Sequence, residues 1–314
     1  MQFLGAEATR ERLPFAALVA ALRAMFEQGC ELPPRQVLEL APAAGDGVTS
    51  LVMPAWQRGG CLGVKVVNVA PGNAARGLPG LHSTYVLYDA TTGVPLAWLD
   101  GDEITARRTA ATSALAASWL ARADSRNLAI VGAGRVARLL AEAHRVCRPI
   151  ERVTVWARSP ARAQALADEL VAEGVDARAA ASVEAAVADA DIVSCATLAR
   201  EPIVQGKWLP AGSHLDLIGS FAPTMREADD DCFAGATVVV DSDDAPTKSG
   251  DLIGPIARGV VDAGAIATLA ELARGRRRGR SADVERTVFK SVGSALEDLA
   301  AAMLVHRSPA SVQR

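Results

Sequence analysis

The chain has 314 residues, 50% of them hydrophobic, 4% aromatic and 22% charged, with a formal net charge of -3. Roughly 100–200 residues per domain makes two domains the natural division, and the acidic balance excludes a dedicated nucleic-acid binder, whose footprint is basic. The apolar fraction excludes a disordered chain, no apolar run approaches the ~18–20 residues of a membrane span, and MQFLGAEATRERL lacks the basic-then-apolar pattern of a secretory signal.

Residues 1–60 carry a helical pattern from Pro14 to Phe26 and then a stretch punctuated by Pro and Gly. Between Leu51 and Leu99 the rhythm is that of strands. LGVKVVNV (62–69) and LHSTYVLYD (81–89) are β-branched and aromatic runs, and Thr91-Thr92-Gly93 followed by VPLAWLD predicts a hairpin. A long Ala-rich helix is expected from Asp102, as N-cap, to about Ala123.

Beyond it, strands and helices alternate. LAIVG (128–132) is a strand, 135–145 a helix, VTVW (153–156) a strand, and 160–173 a helix opened by Ser159-Pro160. A helix from Ser182 precedes the strands DIVSC, HLDLIG and ATVVVD, and an amphipathic helix is expected from about Asp283 to Val305. The fold class is therefore α/β: parallel βαβ units over 119–294 beside a smaller α+β domain over 1–118. RGRRRGR (274–280) reads as a solvated surface loop rather than a patch for an anionic partner.

The five cysteines and four histidines are dispersed, without a C-x-x-C pair or metal-ligand spacing. That usage predicts reduced thiols in a cytoplasmic protein and no metal site.

Gly132, Gly134 and Ala137 form a G-x-G-x-x-A pattern directly after a strand and at the opening of a helix. The first glycine permits the tight turn, the second lets backbone approach a pyrophosphate, and the third small residue lets helix and strand pack closely. Arg135 and Val136 then offer helix N-terminal N–H groups to phosphate. This is a Rossmann dinucleotide site. The second strand ends in Ala157-Arg158-Ser159, where NAD binders carry a carboxylate; an arginine there meets a 2′-phosphate instead. NADP(H) is the expected cofactor, with NAD(H) the alternative.

Four cationic residues in the first domain are poorly placed for structure alone. Lys65 lies between two apolar faces of its strand, where burial lowers an ammonium pKa, so it needs an anionic partner or a catalytic task. Arg107 and Arg108 oppose the dipole of the helix they sit in, and a nearby anion would explain at least one of them. Arg35 follows Pro33-Pro34, a stiff lead-in. Together they suggest a clamp for a substrate carboxylate.

Over nearly its full length the chain resembles the ornithine cyclodeaminase/mu-crystallin family. The resemblance rests on VMPA (52–55), GVKVVN followed by Gly77-Leu78-Pro79, ITARRTAATSALAA (104–117), VGAGRVA, HLDLIGSFAPTMRE (214–227) and FKSVGSALEDLA (289–300). It implies a homodimer in which the first domain, completed by a C-terminal helix over 295–314, binds substrate and pairs the subunits. It also implies that Arg35, Lys65 and Arg108 hold the carboxylate of a small amino or imino acid, with Lys65 moving a proton. Gly80, Thr109, Thr197, Ile218, Ser220 and Ser291 would face the nicotinamide or its ribose, with Arg108 and Gly219 also among the cofactor-binding residues.

One departure from the family pattern bears on the reaction. Ornithine cyclodeaminases resemble G-G-D-C-P-G-K-T-E where this chain has GSFAPTMRE, so their catalytic aspartate is matched by Phe221 and their lysine by Met225. With Arg158, this resembles the reductase branch, which uses NADPH on cyclic ketimines such as Δ1-pyrroline-2-carboxylate, and Phe221 would face the apolar ring. The alternatives are ornithine cyclodeamination to proline and ammonia with NAD, an alanine-type amino-acid dehydrogenase, and an NADPH-dependent binding protein of the mu-crystallin kind.

Overall fold

The computed structural model describes residues 1–41 and 47–308, so residues 309–314 of the expected C-terminal helix lie outside the described residues. In chain order the elements begin with β1 (Gln2–Leu4), α1 (Ala6–Glu11), α2 (Phe15–Gln28), β2 (Gln36–Leu40), β3 (Val48–Trp56) and β4 (Cys61–Val69). Next come β5 (Leu81–Asp89), β6 (Pro95–Asp100), α3 (Gly101–Leu120), β7 (Asn127–Val131), α4 (Ala137–Cys147), β8 (Arg152–Trp156) and α5 (Pro160–Ala172). They continue with β9 (Asp176–Ala179), α6 (Val183–Val187), β10 (Ile192–Cys195), β11 (His214–Leu217), β12 (Thr237–Val240), α7 (Ala245–Lys248) and α8 (Gly250–Ala257). The last are β13 (Ala267–Thr268), α9 (Leu269–Ala273), β14 (Thr287–Lys290) and α10 (Ala295–Arg307).

The chain forms two compact units, Met1–Arg108 with the C-terminal segment from Ala295, and Thr109–Ser294. It passes from one to the other inside α3, where the sequence reading put the boundary at 118/119. The first unit holds a six-stranded sheet in the order β1-β6-β5-β4-β3-β2, antiparallel except where β1 joins β6. Met53, Lys65, Tyr85 and Leu99 lie in register across β3 to β6, all buried, and α10 covers these strands. On the other face, Pro54, Val64, Val86, Trp98 and Phe3 form a second row that is half-buried to exposed, with Trp98 37% and Phe3 71% accessible.

The second unit is an eight-stranded parallel sheet in the order β13-β12-β14-β11-β10-β7-β8-β9. Strands β10, β11 and β14 are buried on both faces, as in a parallel sheet covered on both sides. The chain runs from β7 outward to β8 and β9, then returns to lay β10 and β11 on the opposite side of β7. That reversal is the switch point at which a crevice opens beyond the carboxyl ends of the strands.

Two expectations are corrected. Helix α3 starts at Gly101 and its capping carboxylate is Asp100, which accepts the Glu103 N–H at 2.8 Å; Asp102 accepts the Ser83 hydroxyl at 2.6 Å. Strand β6 runs directly into the helix, and a Cβ on Gly101 would lie 2.7 Å from the Ser83 backbone, so only glycine fits the junction. The expected helix from Asp283 contains instead the central strand β14, because Thr287-Val288-Phe289 is a β-branched and aromatic run buried on both faces. Gly293, at φ +79°, then turns the chain before α10 begins. In the 274–280 run, Arg277 donates to the Ala265 carbonyl and Arg280 to the Leu120 carbonyl, both at 2.8 Å, tying the surface loop to the second unit.

Candidate active site

At the carboxyl ends of β7, β8 and β10 in the second unit lies a cavity of about 370 Å³. Gly132, Gly134, Ala157, Arg158, Ser159 and Thr197 all line it, as the motif predicts. Gly132 sits at φ +124°, and a Cβ there would lie 2.6 Å from the Ala196 carbonyl oxygen; a Cβ on Gly134 would project into open space. The turn therefore leaves a concave backbone surface that side chains would fill. Arg135 and Val136 continue this turn, and Val136 at the N-cap of α4 provides no side-chain cap. In the first turn of α4 the Arg138 N–H donates to the Gly134 carbonyl at 3.2 Å and the Leu139 N–H to the Val136 carbonyl at 2.9 Å, so the positive end of the helix dipole is what this turn offers an anion.

Among the described residues no carboxylate lines this cavity. Ser159 caps α5, its hydroxyl accepting the Arg162 N–H at 3.4 Å, and the first turn of α5 brings Arg162 to the same cavity as Arg158. The sequence reading missed Arg162, although its spacing of one helical turn from Arg158 was available as a signal. Glycine backbone, an uncapped helix end and two arginines fit the phosphates of a dinucleotide. A second cavity, about 630 Å³, opens at the amino ends of β7 and β8 and includes Arg122, Arg152 and Asp189. It lies at the wrong end of a parallel sheet for that role.

The remaining predicted cofactor residues of this unit lie in loops at the same edge of the sheet. Thr197 follows β10, Ile218, Gly219 and Ser220 follow β11, and Ser291 follows β14. Asp241 holds the last of these loops: its Oδ2 accepts the Ser291 hydroxyl at 2.7 Å and the Val292 and Gly293 N–H groups at 2.9 and 2.7 Å. Glu227, which the sequence reading passed over, holds the other two, accepting N–H groups from Thr197, Gly219 and Ser220. Burial pushes the Glu227 carboxyl up to about 7 against the attraction of Lys290, with Asp251 adding to the rise. Phe221, next along this loop, is 44% exposed, while Met225 is buried. Thr109 opens this unit's share of α3 and is buried.

In the first unit Lys65 and Arg108 are brought together by carboxylates from the first turn of α10. Lys65 Nζ lies 2.7 Å from Asp298 Oδ2 and donates to the Thr105 hydroxyl at 3.2 Å. Arg108 Nε donates to Asp298 Oδ1 at 2.9 Å, and its Nη1 to Glu297 Oε2 at 2.6 Å. All four charged side chains are buried. Burial lowers the Lys65 pKa to about 8; Asp298 pulls it up, and the like charge of Arg108 pushes it further down. For Asp298 burial acts upward but is outweighed by Lys65 and Arg108, which hold it below the ordinary carboxylate range.

Arg107 points elsewhere. Its Nε donates to the Leu13 carbonyl at 2.9 Å and its guanidinium stands 4.2 Å from the Phe15 ring centre, fixing the entry to α2. Arg35 stands at the head of edge strand β2, two strands or about 10 Å from β4 and Lys65. The Gly80 carbonyl accepts the Ala70 N–H at 2.8 Å and closes the loop between β4 and β5.

The profile of the ornithine cyclodeaminase/mu-crystallin family matches residues 6–312. A delta(1)-pyrroline-2-carboxylate reductase of Paracoccus denitrificans is 42% identical over 311 residues, covering 98% of this chain and 96% of that protein. Among solved structures, the Thermococcus litoralis delta(1)-pyrroline-2-carboxylate reductase in complex with NADH and L-proline superposes with a TM-score of 0.91 at 34% identity, covering 98% of this chain and 96% of that one. An archaeal alanine dehydrogenase dimer with bound NAD superposes with a TM-score of 0.89 at 28% identity, covering 98% and 95%.

Proposed function

The chain belongs to the ornithine cyclodeaminase/mu-crystallin family, and from that premise we propose that it is an NADPH-dependent reductase of cyclic ketimine 2-carboxylates such as Δ1-pyrroline-2-carboxylate, which it converts to proline. The single observation that carries this reading is the buried Lys65 ammonium, held 2.7 Å from Asp298 in a charge network with Arg108. Reducing an imine adds a hydride to carbon and a proton to nitrogen. Near neutral pH a lysine with a pKa of about 8 carries that proton and can give it up. A substrate carboxylate drawn to Arg108 and Arg35 adds negative charge beside Lys65 and raises its pKa, so the proton stays until the nitrogen needs it.

The Gly132–Gly134 turn, with Arg135 and Val136 at the start of α4, would hold the pyrophosphate of the cofactor. Arg158, Arg162 and Ser159 would hold a 2′-phosphate, in a cavity that no carboxylate lines among the described residues. Thr197, Ile218, Gly219, Ser220 and Ser291 would hold the nicotinamide end, and Gly80, Arg108 and Thr109 keep the cofactor roles that family membership implies. When bound there, the reduced nicotinamide supplies the hydride. Phe221 offers an aromatic face to an apolar ring where an aspartate would serve an amino group. The five free thiols fit a reducing, cytoplasmic setting. The apolar row Phe3–Trp98–Val86–Val64–Pro54 fits a homodimer contact.

The test follows absorbance at 340 nm with purified protein, supplying NADPH or NADH with Δ1-pyrroline-2-carboxylate, with pyruvate and ammonia, or, in the reverse sense, NAD with ornithine. NADPH loss with the cyclic imine, and proline as product, is expected. Proline and ammonia from ornithine without net cofactor change, or turnover of pyruvate and ammonia alone, overturns the reading.

A further inference from the structure

Glu227 has no part in the reaction as described, yet it is fully buried and its carboxylate is saturated by donors from two separate loops. Oε1 accepts the Thr197 N–H and the Thr197 hydroxyl, both at 2.8 Å. Oε2 accepts the Gly219 N–H at 2.9 Å and the Ser220 N–H at 3.1 Å. The first loop leaves β10 and the second leaves β11. They are drawn so close that a Cβ on Gly219 would lie 2.2 Å from the Thr197 nitrogen and 2.5 Å from Glu227 Oε1.

A second layer fixes Glu227 from behind. Asp251 Oδ1 accepts the Glu227 and Ala228 N–H groups at 2.8 and 3.2 Å, and its Oδ2 lies 3.1 Å from Lys290 Nζ. Lys290 donates to the Ser220 hydroxyl at 2.7 Å and stands 3.9 Å from Glu227 Oε2. Packing alone does not call for two buried carboxylates against one ammonium; apolar residues of similar volume would serve it better. What the carboxylate provides is one planar acceptor for three backbone N–H groups and a hydroxyl on loops that no ladder connects beyond the ends of β10 and β11.

In a doubly wound sheet the dinucleotide lies across the switch point, one nucleotide on each half. The Gly132 turn, Arg158 and Arg162 belong to the half of β7 and β8, whereas the Thr197 and Gly219–Ser220 loops belong to the half of β10 and β11. We propose that Glu227 is the positioning residue for the nicotinamide end of the cofactor site: by clamping Thr197 to Gly219 and Ser220 it sets both loops in the binding geometry before the cofactor arrives. The proposal rests on the dinucleotide reading above. Preorganisation of this kind shows in the affinity of the half it serves and not in that of the other half.

The experiment measures dissociation constants by protein fluorescence for NADPH and for 2′-phospho-ADP-ribose, which lacks the nicotinamide, in wild type and Glu227→Gln. The isosteric amide removes the charge and turns a donor toward the loop N–H groups. NADPH affinity is expected to fall about tenfold or more, the equivalent of about 1.4 kcal/mol, while 2′-phospho-ADP-ribose stays within about twofold. Equal loss for both ligands, or no loss for either, overturns the positioning role. Should the variant fail to fold, hydrogen exchange on the wild-type protein decides: the Thr197, Gly219 and Ser220 amides are expected to be protected without cofactor, and fast exchange that slows only on NADPH addition overturns the proposal. A wild-type protein that binds neither ligand overturns the dinucleotide reading itself, and this proposal with it.

Discussion

Lys65 makes a close ion pair with Asp298 and still has a depressed pKa, about 8, because burial disfavours the ammonium more than one carboxylate favours it and Arg108 adds repulsion. The rate of imine reduction is therefore expected to fall above about pH 8 along a single ionisation, as Lys65 loses its proton. Asp298→Asn removes the opposite charge that favours the ammonium, so the falling limb should move toward lower pH, by about one unit or more. Lys65→Arg should abolish the limb in the accessible range, since a guanidinium does not titrate there, and lower kcat for want of a transferable proton. A pH–rate profile measured on all three proteins checks this, and a limb unmoved in Asp298→Asn would assign the ionisation to another group. Lys65 was legible in the sequence because a lysine flanked by valines on a strand must be explained. Asp298 and Glu297 were not, because an acidic pair in an expected amphipathic helix looks like part of its solvated face until the fold lays that helix over β4. Glu227 escaped for a related reason: nothing local distinguishes a glutamate that caps its own loop from one that binds two others.

The proposed preference for NADPH rests on the first turn of α5. Ser159 fixes the start of the helix, and this places Arg158 before it and Arg162 within it against one cavity. Hydrogen bonds to charged groups contribute about 1.5–3 kcal/mol, roughly 10- to 100-fold in affinity. Arg158→Ala and Arg162→Ala are each expected to weaken NADPH by about that factor and to leave NADH nearly unchanged, and Arg158→Asp should invert the preference. Steady-state KM values for both cofactors, repeated at higher salt, report it; equal effects on NADH and NADPH would detach the arginines from the 2′-phosphate. The helices and strands around this site followed from local pattern, since Ser159-Pro160 and the G-x-G turn are signals carried by neighbouring residues. Strand β14 did not, because a short apolar run buried on both faces carries no period that separates it from a helix segment. Edge strands β1, β2 and β9 were also missed: their pairing is decided by the neighbouring strand rather than by their own residues.

At the scale of the molecule the open question of surface is the sheet face opposite α10. Phe3, Trp98, Val86, Val64 and Pro54 stand side by side across five strands, and Leu62 and Tyr88 extend the patch one pleat further. A contiguous apolar patch on a two-sided sheet marks an interaction surface. In the proposed homodimer a two-fold partner would meet it with the same residues, so a single substitution would enter the interface twice. Val86→Lys, in the middle of the row, would bring two ammonium groups into one desolvated contact. Leaving a charge buried and unpaired accounts for much of the about 2–5 kcal/mol lost when an interfacial charge pair is broken, so even one of the two ammonium groups would raise a dimer dissociation constant by up to roughly 30-fold to several thousandfold, and the second adds to it. Wild type is expected to elute with the mass of a dimer in size exclusion with light scattering and to melt at a temperature that rises with protein concentration. Val86→Lys should elute as a monomer at micromolar concentration with its circular dichroism spectrum retained, since the Lys65–Asp298 face of the same sheet is untouched. A wild-type monomer at every concentration, or a variant that stays dimeric, would require another occupant for this face. The loss of the dimer should also lower the melting temperature, because a sheet with one face in water exposes the apolar row that its partner would otherwise cover.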